Sequence, residues 1–418
     1  MRFWICVLVL VAAGSASAAP PELDSWLDWT GATGWLGLRA NVDSVQYSTD
    51  NLYVYAPGIP AYGIGPWPYS PNLPSLQNYR LRIPRNPTAN PGMKTATPLG
   101  HIGLWRSGVA VFNALDGHSY QDSMVWNQNA VVVEARGFDS CLGHPTEHGE
   151  YHHHQNPICL YDADSTSHSP ILGYAFDGFP IYGPYGYAHP DGSGGIVRVT
   201  SSYHLRHLLH RSSLPDGTML PRSLWGPEPD SIPLGYYVED FIFRPGTGLL
   251  DRQNGRFTVT PEYPSGIYTY VATIDSTGAS AFPYTIGFHY YGITATEDFL
   301  VNQVTIGETV TTYRPIESAP DRVLARERFD LGEGLPNPTS AGARFSLRMF
   351  QDGTVRADAV DAGGRVVRAL LHGALAPGIH EIFWDGRSEA GDRAPGGVYF
   401  VRVVGPGGTR SRRMVLVK

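Results

Sequence analysis

Five of the chain's 15 histidines fall between Cys141 and Cys159, in the run Cys-Leu-Gly-His-Pro-Thr-Glu-His-Gly-Glu-Tyr-His-His-His-Gln-Asn-Pro-Ile-Cys. Neutral imidazoles are nitrogen ligands for zinc or copper, and three that converge leave a position for a fourth ligand, water or substrate. If residues 151–154 are extended, successive side chains point to opposite faces. His152 and His154 then share one face, with Tyr151 and His153 on the other. His144 lies upstream in a Gly-His-Pro turn that folds back beside that face. The expected metal set is therefore His144, His152 and His154, with His148, His118 or Asp177 as further donors. His118 sits in Leu-Asp-Gly-His-Ser-Tyr, and Asp177 opens an Asp-Gly-Phe-Pro turn, where a plain turn residue is the favoured reading over a carboxylate ligand or general base. Asp139 is placed to accept a hydrogen bond from a ligand imidazole or to cap a turn. A histidine-rich loop also arises as solvated surface or as imidazoles bonded to backbone, so residue types alone leave both readings open.

The flanking sequence decides how the two cysteines read. Arg2, an apolar run from Phe3 to Ala13 and the small residues Ala16-Ser17-Ala18 make residues 1–19 a secretory signal, cleaved near Ala18. Export leaves Cys141 and Cys159, and an oxidising compartment favours a bridge between them. Such a bridge stabilises a fold by about 3 kcal/mol in the chain-entropy picture. It would also tether both ends of the histidine stretch; thiolate ligation of a metal is the competing reading. No later stretch is apolar for long enough to give a transmembrane segment. Net charge is −7, and the basic residues are arginine apart from Lys94 and Lys418, which gives no ground for a nucleic-acid partner.

With 48 Gly, 34 Pro, 12% aromatic and 17% charged residues, the composition favours short strands and turns over long helices. The expected class is all-β. Residues 42–47 and 52–55 flank a Ser-Thr-Asp-Asn turn, and 57–74 form a Pro/Gly-rich loop. Further strands are expected at 79–83, 102–112, 131–135, 241–243, 256–259, 267–273, 282–288 and 305–315. Residues 201–211 alone read as a helix, with His204, His207 and His210 along one side and leucines interleaved.

A charge break separates the C-terminal part. Residues 331–418 carry 12 basic and 8 acidic residues, net +4, against 19 basic and 30 acidic before them, net −11. Strands at 343–349, 354–361, 366–371, 380–384 and 398–404, with turns between them, suggest an immunoglobulin-like β-sandwich. The expected organisation is a signal peptide at 1–19, a first domain at 20–315, a linker at 316–330 and the sandwich at 331–418.

Several blocks resemble the YHYH-domain proteins. They are Asp139 to Pro145, Tyr151-His152-His153-His154, the run from Ser169 to Gly183, Leu250 to Phe257, and Thr260 to Pro264. The resemblance covers residues 40–300 and implies a secreted β-rich domain with a metal-linked role, without supplying a reaction. The motif's third position is His153 rather than Tyr, and the second motif copy reads Tyr268-Thr269-Tyr270-Val271, without histidine. This argues against a site that draws histidines from both copies. In the C-terminal part, Asn337-Pro338, Asp361 with Gly364-Arg365, Trp384-Asp385-Gly386 and the run from Gly397 to Arg402 resemble two groups. These are the immunoglobulin-like module of flagellar hook-capping proteins and the C-terminal sorting domain of the type IX secretion system. The resemblance implies the secretion machinery and the cell surface as partners.

The functional expectation is an exported or cell-surface protein with a histidine-rich site for a divalent metal, copper or zinc. A catalytic metal there would activate water. The alternative is a metal-free adhesion or scaffold protein whose aromatic faces bind glycan or a partner. Third comes a hydrolase using a metal, or His152 or His154 as base, ranked last because no Gly-x-Ser-x-Gly elbow is present.

Overall fold

The computed structural model of the chain describes residues 19–27, 31–67, 69–294, 296–299, 301–314 and 329–417, except 333, 350, 351, 362, 363, 377, 406 and 407. Nearly all of the expected signal peptide (1–19) and of the expected linker (316–330) lies outside the described residues. The chain divides into two compact units, Met1–Arg314 and Pro315–Lys418. Among the described residues both are built almost wholly of strands, and the α-helices are two single turns, α1 (Pro21–Asp24) and α2 (Ala130–Val133).

In the first unit β1 (Ser44–Tyr47) and β2 (Asn51–Ala56) form a hairpin whose turn is held by Ser48 Oγ, which accepts from the amides of Asp50 and Asn51. Next to β2 lies β3 (Tyr79–Pro84), where Tyr79, Leu81 and Ile83 point inward while Arg80 and Arg82 alternate outward. The larger sheet holds β4 (His101–Trp105), β5 (Ala110–Phe112), β8 (His144–Pro145), β9 (Tyr151–His153), β10 (Ile171–Ala175), β11 (Pro180–Tyr182), β16 (Gly255–Thr258) and β17 (Ile267–Val271). Two-stranded ribbons hang from it: β6 (Leu115–Ser119) with β7 (Asn127–Asn129), β12 (Tyr185–Tyr187) with β13 (Ile196–Arg198), and β14 (Tyr203–Leu205) with β15 (Phe241–Phe243). A short β18 (Thr311–Thr312) adds to the free edge of β1.

The order of the large sheet, β16-β17-β11-β10-β4-β5-β9-β8, reads the same from both ends in its pairing. At the centre β4 and β10 run antiparallel with Leu104 opposite Tyr174. Each is the first strand of a hairpin, and each hairpin's second strand pairs in parallel with a strand reached by a long connection: β5 with β9, and β11 with β17. Parallel pairing requires such crossovers. The seam is close-packed on both sides. A Cβ on Gly103 would lie 2.5 Å from the Tyr174 carbonyl oxygen, and one on Gly173 2.2 Å from that of Leu104, so only glycine fits at either position. Buried side chains from both sheets, among them Leu81, Trp105, Tyr151, Tyr174, Phe176 and Tyr270, fill one hydrophobic cluster.

The second unit has β19 (Phe329–Leu331), β20 (Ala343–Met349) and β23 (Gly378–Trp384) in one sheet. The other sheet orders β22 (Val366–Leu375), β21 (Gly353–Asp361), β24 (Gly397–Gly405) and β25 (Gly408–Leu416). Buried and exposed residues alternate without a break along β20, and the inner faces of both sheets share a cluster around Phe345, Trp384, Val401 and Met414.

Four local expectations fail in whole or in part. In place of a strand at 131–135, α2 forms, with the Ala130 amide on the Ala114 carbonyl and the Glu134 amide on that of Ala130. Residues 201–211 are not a helix: β14 pairs with β15, and the segment after β14 is held by arginine-to-carbonyl bonds. There Arg211, fully buried against Asp240, donates to the carbonyls of Pro227, Ile232 and Pro233, while Leu209 is 88% exposed. His204, His207 and His210 therefore share no helix face. Residues 282–288 carry no strand, and only Thr311–Thr312 of the expected 305–315 does.

Candidate metal centre

Asp139 builds the turn that leads into the site. Its carboxylate accepts from the amides of Gly65 (2.8 Å), Cys141 (2.9 Å) and Gly143 (3.1 Å) and from the Tyr151 hydroxyl (3.1 Å). No imidazole donates to it, so turn capping, not orientation of a ligand, is its work. A Cβ on Gly143 would fall 2.4 Å from the Tyr151 hydroxyl, which is why glycine closes this bracket. Beyond the turn, β8 pairs antiparallel with β9, setting His144 opposite His152. Cys141 and Cys159 form a disulfide across a sequence separation of 18, and three of the site's histidines lie inside that ring.

The structure brings Glu134, His144, His152 and His154 together, each offering a ligand atom within 4.8 Å of the others. Strand alternation puts His152 and His154 on this face. His153 points the other way, against Trp105 and Tyr151, where burial, followed by the neighbouring His144 and His154, pushes its imidazole down to about 3. His152 Nδ1 lies 3.0 Å from the Glu150 carbonyl oxygen and His154 Nδ1 2.6 Å from that of Asn113. Carbonyls only accept, so both Nδ1 atoms carry a proton, and in the neutral rings both Nε2 atoms present lone pairs. Those two Nε2 atoms face each other at 3.1 Å. Phe112 stacks on the His152 ring at 3.9 Å, and Phe138 sits edge-on to His144 at 5.0 Å.

Glu134 completes the group from the end of α2, with Oε2 3.1 Å from His144 Nε2 and 3.1 Å from His154 Nε2. The Glu134 Oε2 and His144 Nε2 atoms are both shut off from solvent and make no hydrogen bond of acceptable geometry. Burial alone would raise the Glu134 carboxyl, but its contacts with His144 and His154 outweigh it and hold the group well below the usual range. Burial, then the charges of His144 and His154, pushes His152 well below an ordinary imidazole. Three imidazoles and one carboxylate, two imidazoles anchored through Nδ1 to backbone, form a donor set that could hold a metal ion.

The other residues expected as donors stand apart. His148 is exposed and its nearest charged partner is Glu147, because it lies at the tip of the loop between β8 and β9. His118 is exposed on β6, outside the group of four. Asp177 is fully buried in the β10–β11 turn, where the Tyr270 hydroxyl (2.6 Å) and the Gly292 amide (2.8 Å) occupy its carboxylate. His101 is bound between Glu150 and the Asp298 carbonyl, away from the cluster. Sequence reasoning misses Glu134 because Ala-Val-Val-Val-Glu reads as a β-branched strand, and nothing in its spacing links it to histidines ten or more residues on.

No curated protein matches the chain. Among solved structures, the dimeric latent PorU of Porphyromonas gingivalis is 29% identical over 21% of this chain and 9% of its own, with a TM-score of 0.19. PorZ, a surface component of the type IX secretion system of the same organism, is 12% identical over 92% of this chain and 46% of its own, with a TM-score of 0.17. The alkylpurine DNA glycosylase AlkC of Pseudomonas fluorescens is 17% identical over 22% of this chain and 31% of its own, with a TM-score of 0.17. The chain thus spans less than half the length of each. No helix among the described residues is long and apolar enough to cross a membrane. The segment that carries the four-residue cluster, residues 80–282, matches the family model described as YHYH protein.

Proposed function

We propose that Glu134, His144, His152 and His154 bind one divalent transition-metal ion, zinc or copper, in an exported protein that reaches the cell surface. The supporting observation is the pair of imidazole lone pairs held 3.1 Å apart by carbonyl bonds on their far nitrogens. Two lone pairs at that distance repel, and the buried Glu134 oxygen beside them makes a cation the natural occupant. Export is supported by the composition of residues 1–19 and by the disulfide, a bond that an oxidising compartment favours. The sorting-domain motifs of residues 331–418, set on two antiparallel sheets around one cluster, support delivery by a secretion machinery.

Elemental analysis of the purified protein after zinc or copper challenge and desalting tests the reading. One equivalent of metal per chain is expected, falling to background in His152→Ala/His154→Ala. A wild-type protein that retains no stoichiometric metal refutes it.

A further inference from the structure

The two ends of the large sheet are built alike down to single hydrogen bonds. Asp251 accepts from the amides of Gln253 (2.9 Å) and Gly255 (3.2 Å) and from the Tyr268 hydroxyl (3.0 Å), as Asp139 does from Cys141, Gly143 and Tyr151. Leu142 and Asn254 both sit at positive φ, 67° and 63°, and a Cβ on Gly255 would strike the Tyr268 hydroxyl at 2.3 Å, as one on Gly143 would strike Tyr151. The Val199 amide bonds the Pro184 carbonyl (2.8 Å) as that of Ala130 bonds Ala114 (3.0 Å). Register then pairs the halves residue by residue. Arg256 opposite Thr269 stands where His144 faces His152, Val271 takes the strand place of His154, and Leu250 that of Phe138.

The second half carries no imidazole at the corresponding positions, which Arg256, Thr269 and Val271 occupy. Val199, Leu250 and Val271 form a buried cluster of their own. Arg256 extends from the His144 position and donates to the carbonyls of Tyr187 and Ala188, binding β16 to the β12 ribbon. The same scaffold position is thus closed at one end by a small core and a guanidinium, and at the other by four converging ligand groups.

We propose that the ion of the first half is structural: held at the positions that Arg256, Thr269 and Val271 occupy in the second half, it ties β8 and β9 to α2. The inference rests on the metal-binding reading above. Four protein donors saturate a tetrahedral ion and leave no open position for substrate. The donor atoms agree with a closed site, since Glu134 Oε2 and His144 Nε2 have no solvent contact and His152 and His154 are 2% and 3% exposed. A catalytic ion would need the open coordination position that this packing denies.

The test uses the full chain loaded with cobalt(II) as a spectroscopic stand-in for zinc. A four-coordinate visible spectrum that azide or imidazole leaves unchanged is expected; a spectrum shifted by either ligand, reporting an exchangeable position, overturns the structural role. In parallel, urea unfolding is followed with zinc and after chelation. Zinc at 100 times its Kd should raise the folding equilibrium constant about a hundredfold. Zinc that binds stoichiometrically without moving the unfolding midpoint overturns this inference alone, whereas a chain that binds no zinc removes the metal-binding reading with it. A variant carrying the second half's residues at the three histidines, His144→Arg/His152→Thr/His154→Val, together with Glu134→Leu, should bind no metal and unfold at or above the midpoint of the chelated wild type, with no response to zinc. Should that variant fail to fold, the cobalt spectrum and the wild-type chelation curve still decide.

Discussion

Replacing Asp139 with alanine removes one carboxylate and strands four donors at once: the amides of Gly65, Cys141 and Gly143 and the Tyr151 hydroxyl. A buried donor left without an acceptor costs about 1–3 kcal/mol, more when the lost partner was charged. Some relaxation and water entry are expected at the half-exposed Gly65 end, so the four together should cost about 4 kcal/mol. Burial dominates the carboxyl's own titration and raises it, which says that ionising Asp139 inside the fold is itself costly. The four bonds offset that cost only in part, and removing them removes the reason for the turn. The turn leads directly into His144 on β8, so the loss should also weaken metal binding. Asp251→Ala is the control, because it strands Gln253, Gly255 and Tyr268 in the same geometry at the end of the sheet without histidines. Urea denaturation of chelated protein should show comparable losses for the two variants, and zinc titration should show weakened binding for Asp139→Ala alone. A stability loss below about 1 kcal/mol for Asp139→Ala, or equal loss of metal affinity in both variants, refutes the reasoning.

Asp177 carries a carboxyl that burial pushes up to about 6 from an ordinary 3.8. Between those values the folded chain keeps a proton that the unfolded chain has lost, so this group's contribution to stability falls as pH rises through the window. Relative to Asp177→Asn, the wild type should lose about 2 kcal/mol between pH 4 and pH 7, and a pH-independent difference in urea denaturation would contradict this. Arg211 and Asp240 are both fully buried. Arg211→Met leaves the carboxylate uncompensated and should cost about 3–5 kcal/mol, with part recovered in Arg211→Met/Asp240→Leu; a double variant as unstable as the single would show that the carbonyl bonds of Arg211, not the charge pair, hold the segment.

Where local pattern and tertiary environment agree, the sequence is readable. The period-two alternation of Tyr79, Leu81 and Ile83 and of Ala343 to Met349 follows directly from strands with one buried face. The shared face of His152 and His154 needs only the alternation of an extended chain. Glu134 is not legible, because what makes it a ligand is the crossover from β5 to β9, which carries α2 over the histidine face. Long-range placement of that kind leaves no periodic trace. The 201–211 segment misleads for a related reason: its three-residue histidine spacing mimics a helix, while the fold is decided by Arg206 and Arg211 reaching carbonyls and carboxylates elsewhere. Asp139 and Asp177 each admit two roles in the sequence, and in the fold both are acceptors for backbone amides and tyrosine hydroxyls.

The Cys141–Cys159 link makes His144, His152 and His154 members of one covalent ring, while Glu134 stays outside it. Denaturing the oxidised chain scatters the sheet but cannot scatter those three imidazoles beyond the reach of a single loop. An ion of the kind proposed would then retain some hold on the denatured ensemble, and any such hold subtracts from its net effect on folding. The carboxylate outside the ring becomes the group that tells the native chain from a merely chelating peptide.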